Sequence, residues 1–83
     1  MPRYYFDVYN KGLTARDDEG EEFDGPNEAM RAAARSAAEI GTNEVVNSDP
    51  DGVVVVVEVR DEQSQRVCSI TAAMTIDWDA SRP

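Results

Sequence analysis

Val53 to Val57 is a run of five valines. β-Branched side chains are stiff in a helix and pack well on a pleated surface, so the run is a strand. A strand with one face in water alternates apolar with polar residues. This one stays apolar on both faces until Glu58. Both faces at its centre therefore need covering. A chain of 83 residues has room for one domain and a thin core, burying roughly 60% of its unfolded surface. One helix covers one face; the second cover is the open question, and a partner subunit is a candidate.

The rest of the chain supplies the elements around that strand. Arg3 to Tyr9 alternates, with Tyr4, Phe6 and Val8 on one face and Tyr5, Asp7 and Tyr9 on the other. Asn10-Lys11-Gly12 is a turn signal, and Leu13 to Arg16 returns as a short second strand. Asp17 to Gly20 reads as a tight turn, followed by a polar segment ending at Phe23. A helix begins near Pro26, where a missing N–H carries no penalty, with Gly25 before it and Glu28 in its first turn. Met30, Ala33, Ala34, Ala37 and Gly41 share the expected buried face. Ending the helix at Gly41 would leave Val45 and Val46 in a long loop, so the helix is expected to continue to about Asn47.

Val53 to Arg60 is the third strand, Asp61 to Gln65 a hairpin loop, and Arg66 to about Ile76 the fourth strand. The fold class is α+β, in the order β-β-α-β-β. A four-stranded antiparallel sheet in the order 2-1-3-4 is predicted, with one helix on one face. Residues 1–77 form the single domain and 78–83 a loose tail carrying Trp78.

Composition narrows the function classes. There are 17 Asp and Glu against 8 Lys and Arg, for a formal charge of −9, which repels phosphate backbones and argues against nucleic-acid binding. No histidine is present, which removes the commonest general base and metal ligand. The single cysteine, Cys68, fits a reducing cytoplasm and sits on an apolar strand face, as a buried hydrophobe rather than a nucleophile. No signal peptide is visible, and no apolar run is long enough to span a bilayer.

The opening Met1-Pro2-Arg3-Tyr4-Tyr5-Phe6, followed at Val8 by a further apolar residue, resembles a family of small uncharacterised bacterial proteins. The family is common in rhizobia and related alphaproteobacteria and is classed as a domain of unknown function. The acidic turn Asp17 to Glu21 and the Ala- and Arg-rich helix Asn27 to Ala37 are also similar. The resemblance implies that a histidine often follows the Tyr-Tyr-Phe, where this chain has Asp7. It implies no catalytic residues.

Two acidic segments invite a cation reading. Asn47 to Gly52, with Glu58 beyond, nearly fits a calcium-binding loop, with Asp49 and Asp51 as candidate ligands. That loop requires an exit helix to bring position twelve back to the ion. An exit strand at ~3.3 Å per residue carries Glu58 about 20 Å away instead. The run Asp17 to Glu22 reads as a solvated turn whose charge deters edge pairing.

The expected function is a non-enzymatic, cytoplasmic interaction domain without cofactor. It acts as a homodimer or on another protein through Tyr5, Tyr9, Val54, Val56, Ser69 and Thr71, on the face away from the helix. The alternative is a small-ligand or divalent-cation binder using an acidic loop. Titration calorimetry distinguishes them. No saturable heat is expected at micromolar to low-millimolar calcium, whereas a stoichiometric site lost on combining Asp49→Ala with Asp51→Ala would establish the loop as a cation site.

Overall fold

The central strand buries one face along its length and covers the other at one end only, with Val54 left 59% exposed. A computed structural model describes residues 1–47 and 52–79. Asp49 and Asp51, and with them the calcium-like loop, lie outside the described residues. The elements in chain order are β1 (Arg3–Asn10), β2 (Leu13–Ala15), β3 (Glu21–Glu22), α1 (Pro26–Asn47), β4 (Gly52–Arg60) and β5 (Arg66–Thr75). One antiparallel sheet runs β2-β1-β4-β5, and β3 also pairs with β1.

The α+β architecture and the order of the four longer strands match the sequence expectation, with β4 and β5 as its third and fourth strands. The strand count is corrected to five. Glu21 and Glu22, expected as part of a polar connection, pair with Tyr4 and Arg3. The N–H of Phe23 extends this pairing by donating to the Pro2 carbonyl. The pairing delivers Phe23 to the core, where its ring stacks on Phe6 at 5.6 Å and lies tilted against Tyr4 at 6.2 Å.

Turn chemistry sets the register. Lys11 and Gly12 both adopt positive φ between the paired Asn10 and Leu13, the primed turn whose twist suits a two-residue hairpin. The β4–β5 hairpin turns through Asp61 to Gln65. There Asp61 Oδ1 accepts from the N–H groups of Gln63 and Gln65, and Ser64 takes the left-handed position. A register shift follows between Val59 and Arg60.

The core lies between α1 and the sheet. Val53, Val55, Val57 and Val59 point at the helix and are buried, with Tyr4 beside them and Phe6, Val8, Cys68, Ile70 and Ala72 partly buried around them. The helix answers with Ala29, Ala33, Ala37 and Gly41, a strict four-residue spacing. Side chains this small let the helix lie close to four valines. Met30, expected on this face, is a correction. It is 36% exposed, because the row facing the sheet is narrow and passes through Ala29 and Ala33, leaving Met30 on the flank.

α1 runs through Gly41, so this glycine does not end it. Its carbon-bound hydrogen faces Val53, and a methyl group there would sit 3.7 Å from Val53 Cγ1, an ordinary contact. Asn10 and Lys11 tie the first hairpin to the second half of the helix through Glu44, at 3.3 Å and 2.8 Å. The Gly25 carbonyl accepts from the Ala29 N–H, as the first helical hydrogen bond requires.

Thermal and urea unfolding test this packing. Ala37→Leu forces methylenes into a closed contact and is expected to lose about 1–3 kcal/mol. Ala38→Leu, on an exposed position, should be nearly neutral. Gly41→Ala should stabilise by about 0.5–1 kcal/mol, because an interior glycine is the poorer helix former and the methyl has room. Destabilisation by Gly41→Ala would show the helix–sheet contact to be tighter than described.

Candidate functional site

Antiparallel pairing puts directly opposed residues on the same face. Tyr5 opposes Arg60, Asp7 opposes Glu58 and Tyr9 opposes Val56; across the other side of β4, Glu58 opposes Ser69, Val56 opposes Thr71 and Val54 opposes Ala73. The six residues expected to form a surface, Tyr5, Tyr9, Val54, Val56, Ser69 and Thr71, therefore do share the face away from α1. The structure divides that face into a covered end and an open end.

The covered end is built on two buried charges. Asp7 is 4% exposed and Arg60 9% exposed. They sit diagonally across β1 and β4, within reach of a long side chain. Arg60 Nε donates to Asp7 Oδ2 at 2.9 Å, and the Arg60 guanidinium lies over the Tyr5 ring, 4.6 Å from its centroid. A nitrogen of the same guanidinium donates to the Asp17 carbonyl at 2.6 Å, and the Asp17 N–H donates to Asp7 Oδ1 at 2.9 Å. The segment between β2 and β3 is thereby fastened over this end of the sheet.

Asp17 organises that segment with its own side chain. Oδ2 accepts from the Phe6 N–H at 3.0 Å, taking the place of a missing strand partner between β2 and β3. Oδ1 accepts from the N–H groups of Glu19 and Gly20. Gly20 has φ +70, and a β-carbon there would come within 2.8 Å of the Tyr4 carbonyl oxygen and the Tyr5 ring. Only glycine fits both the backbone conformation and the approach. The acidic turn is thus held to the sheet through Asp17 as well as facing solvent.

These groups shift one another. Burial pushes the Asp7 carboxyl up, but the hydrogen bonds from Arg60 and the Asp17 N–H, with the charges of Arg60 and Arg16, outweigh it and hold it below the usual range. Burial likewise opposes ionisation of Asp17. The N–H groups of Gly20, Phe6 and Glu19 and the Arg60 charge bring its carboxyl down overall. The Asp7 hydrogen bond holds Arg60 above its ordinary value. Cys68, partly buried against the core, has its thiol pushed up by burial, which disfavours the thiolate.

Among the described residues, the open end has no such cover. Val54 is 59% exposed and Tyr9 37% exposed, and Ser69, Thr71 and Ala73 are exposed beside them. Glu58, bridged loosely to Arg66 at 3.6 Å, marks the divide. Of the six expected residues, Tyr5 belongs to the covered end beneath Arg60, and the other five lie at the divide or on the open end. Among the described residues, no three Asp, Glu or Cys side chains gather as a metal would need. No helix among them is long and apolar enough to cross a membrane.

The pair Asp7–Arg60 escaped the sequence reading. A signal existed: Asp7 interrupts an aromatic and apolar strand, and Arg60 closes an apolar one. Their meeting depends on register, which the sequence leaves open.

Arg60→Met leaves the buried Asp7 carboxylate without its cation and the Asp17 carbonyl without its donor, and should destabilise by about 3–5 kcal/mol. Asp7→Asn keeps the shape but loses the charge and should cost less. Because the Asp7 carboxyl lies below its unfolded value, its contribution is present above an ordinary aspartate pKa of about 3.9 and disappears as pH falls through the folded value. The stability gap between wild type and Asp7→Asn, from urea unfolding, should be constant near neutrality and close below about pH 4. A gap that persists unchanged to pH 2 would refute the pairing.

Searches of curated proteins and of solved structures find no match. Residues 3–73 match the family described as Domain of unknown function (DUF6894), a span that runs from the start of β1 almost to the end of β5 and takes in the Asp7–Asp17–Arg60 network. The chain belongs to the DUF6894 family.

Proposed function

We propose that this chain is a non-enzymatic interaction domain that associates through its sheet, as a homodimer or with another protein. One observation carries the reading: the same sheet face is closed with care at one end and left open at the other, with Val54 59% exposed at a position flanked by Tyr9, Val56, Thr71 and Ala73. Leaving a central valine in water forgoes roughly 1.5–3 kcal/mol of burial, and a contiguous apolar patch on a folded domain is the usual mark of an interface. The lone Cys68 has no internal disulfide partner, which supports a reducing, cytoplasmic setting, and the burial that disfavours its thiolate argues against nucleophilic chemistry there. The Met1 to Phe6 opening supports a bacterial origin of the alphaproteobacterial type. The alternative, a small-ligand or cation binder using an acidic loop, has less support at the Asp17 turn, where both carboxylate oxygens already accept backbone N–H groups; its other candidates, Asp49 and Asp51, lie outside the described residues.

Sedimentation tests the reading. A mass above that of the monomer is expected at high micromolar concentration. Because each chain carries a net charge of −9, added salt should tighten the association by screening the repulsion. Where the association buries the open face itself, Val54→Lys weakens it, while Glu39→Lys, exposed on α1, leaves the mass unchanged. A strictly monomeric wild type would leave a different protein as the cover for the open end.

A further inference from the structure

The two edges of the sheet are treated in opposite ways. On the β1 side, every stretch of the strand is occupied. β3 pairs with Arg3 and Tyr4, the Asp17 carboxylate takes the Phe6 N–H, and β2 pairs with Val8 to Asn10. The outermost strand there, β2, is only three residues long and lies between Lys11 and Arg16. Short edge strands and flanking charge are the usual defences against pairing with another chain.

β5 lacks the first of these defences, and charge stands only at its two ends, at Arg66 and just beyond it at Asp77. It is ten residues long and ends the sheet, with no strand on its outer side among the described residues. Within it there is no lysine, no proline and no acidic residue, and Arg66 at its start is the one charge. None of its residues is buried, and its helix-side residues Cys68, Ile70 and Ala72 are only half-buried, whereas β4 beside it buries five of its nine. Met74 is 39% exposed. Resting on the reading above, we propose that β5 is the docking edge and that its occupant is β5 of a second copy of this chain, paired antiparallel about a two-fold axis.

The charge distribution selects this occupant. A second copy brings another −9, so self-association needs a contact line free of like charge. From Gln63 to Ile76 no acidic residue occurs, the longest such stretch in the chain, and it contains the whole of β5. Antiparallel pairing of an edge with its own copy sets the two-fold axis perpendicular to the sheet, so both helices lie on one side. Opposed residues must then share a face. The centre of a near-complete overlap therefore falls on Ile70 or Thr71, and in neither register does Arg66 oppose its own copy. The ladder supplies on average about one N–H···O bond per facing pair. It also covers the half-exposed Ile70, Ala72 and Met74 and joins two open faces, each carrying Val54, into one continuous surface.

Two measurements on the full chain test the proposal. Sedimentation reads the mass, and residue-resolved amide exchange reads which N–H groups become protected with concentration. The expected result is a dimer in which alternate amides of β5, those pointing away from β4, slow at least tenfold between low and high micromolar protein. Thr71→Glu should give a folded monomer by circular dichroism, as should Thr71→Arg. An equimolar mixture of the two should recover the dimer mass, an outcome that misfolding of either variant could not produce. A dimer whose outward β5 amides exchange at the same rate at every concentration would overturn the edge proposal while leaving association through the open face standing. A monomer at all concentrations would overturn the second copy as occupant.

Discussion

A strand that is apolar on both sides must be covered twice, and the rest of this molecule is arranged around that requirement. β4 carries Val53, Val55, Val57 and Val59 toward α1, and the helix meets them with alanines and a glycine. On the opposite side, β4 carries Val54, Val56, Glu58 and Arg60, and one helix cannot reach them. The chain closes the Arg60 end with its own acidic turn and leaves the Val54 end open. Both the internal network and the exposed patch follow from the same shortage of covering structure in 83 residues.

The closed end uses charge where a larger protein would use bulk. Taking an aspartate and an arginine out of water costs several kcal/mol per ion, and their attraction repays that only with good geometry and satisfied remaining groups. Here the satisfaction is nearly complete: Arg60 reaches Asp7, the Asp17 carbonyl and the Tyr5 ring, and Asp7 takes an additional backbone N–H. The network's main gain is definition. It pins β1 against β4 in one register, and it holds the Asp17 segment where its carboxylate can stand in for a strand partner of Phe6. A one-residue slip would place Asp7 and Arg60 on opposite faces and break every one of these contacts.

Charge placement continues this division of labour. Acidic residues crowd the turn at the β1 edge, where pairing with another chain would be unwelcome, and are absent along β5. In the proposed dimer a net charge of −9 keeps copies apart elsewhere, and an edge free of acidic residues leaves one line for contact. A domain this small has little apolar surface to spare, so backbone hydrogen bonds along an edge, which need no side-chain area, suit it as a means of association.

Much of the architecture was legible in local pattern. The valine run, the alternation in Tyr4 to Tyr9, the primed-turn signal at Lys11-Gly12 and the proline start of α1 each act over a few residues, so strand and helix identity, the helix's extension to Asn47 and the antiparallel order could be read directly. The shared face of Tyr9, Val54, Val56 and Thr71 was legible for the same reason, since a period of two assigns faces without knowledge of register. Register itself was not. It decided that Asp7 meets Arg60, that Tyr5 lies under the guanidinium, and that Glu21 and Glu22 pair with β1. The helix face was read one residue off at Met30, because alanines on every side of α1 give periodicity little contrast. What the sequence by itself determined was which elements form and which residues share a side. Which side is closed, and by what, was decided by contacts between residues 10 to 53 positions apart, which only the folded chain brings together.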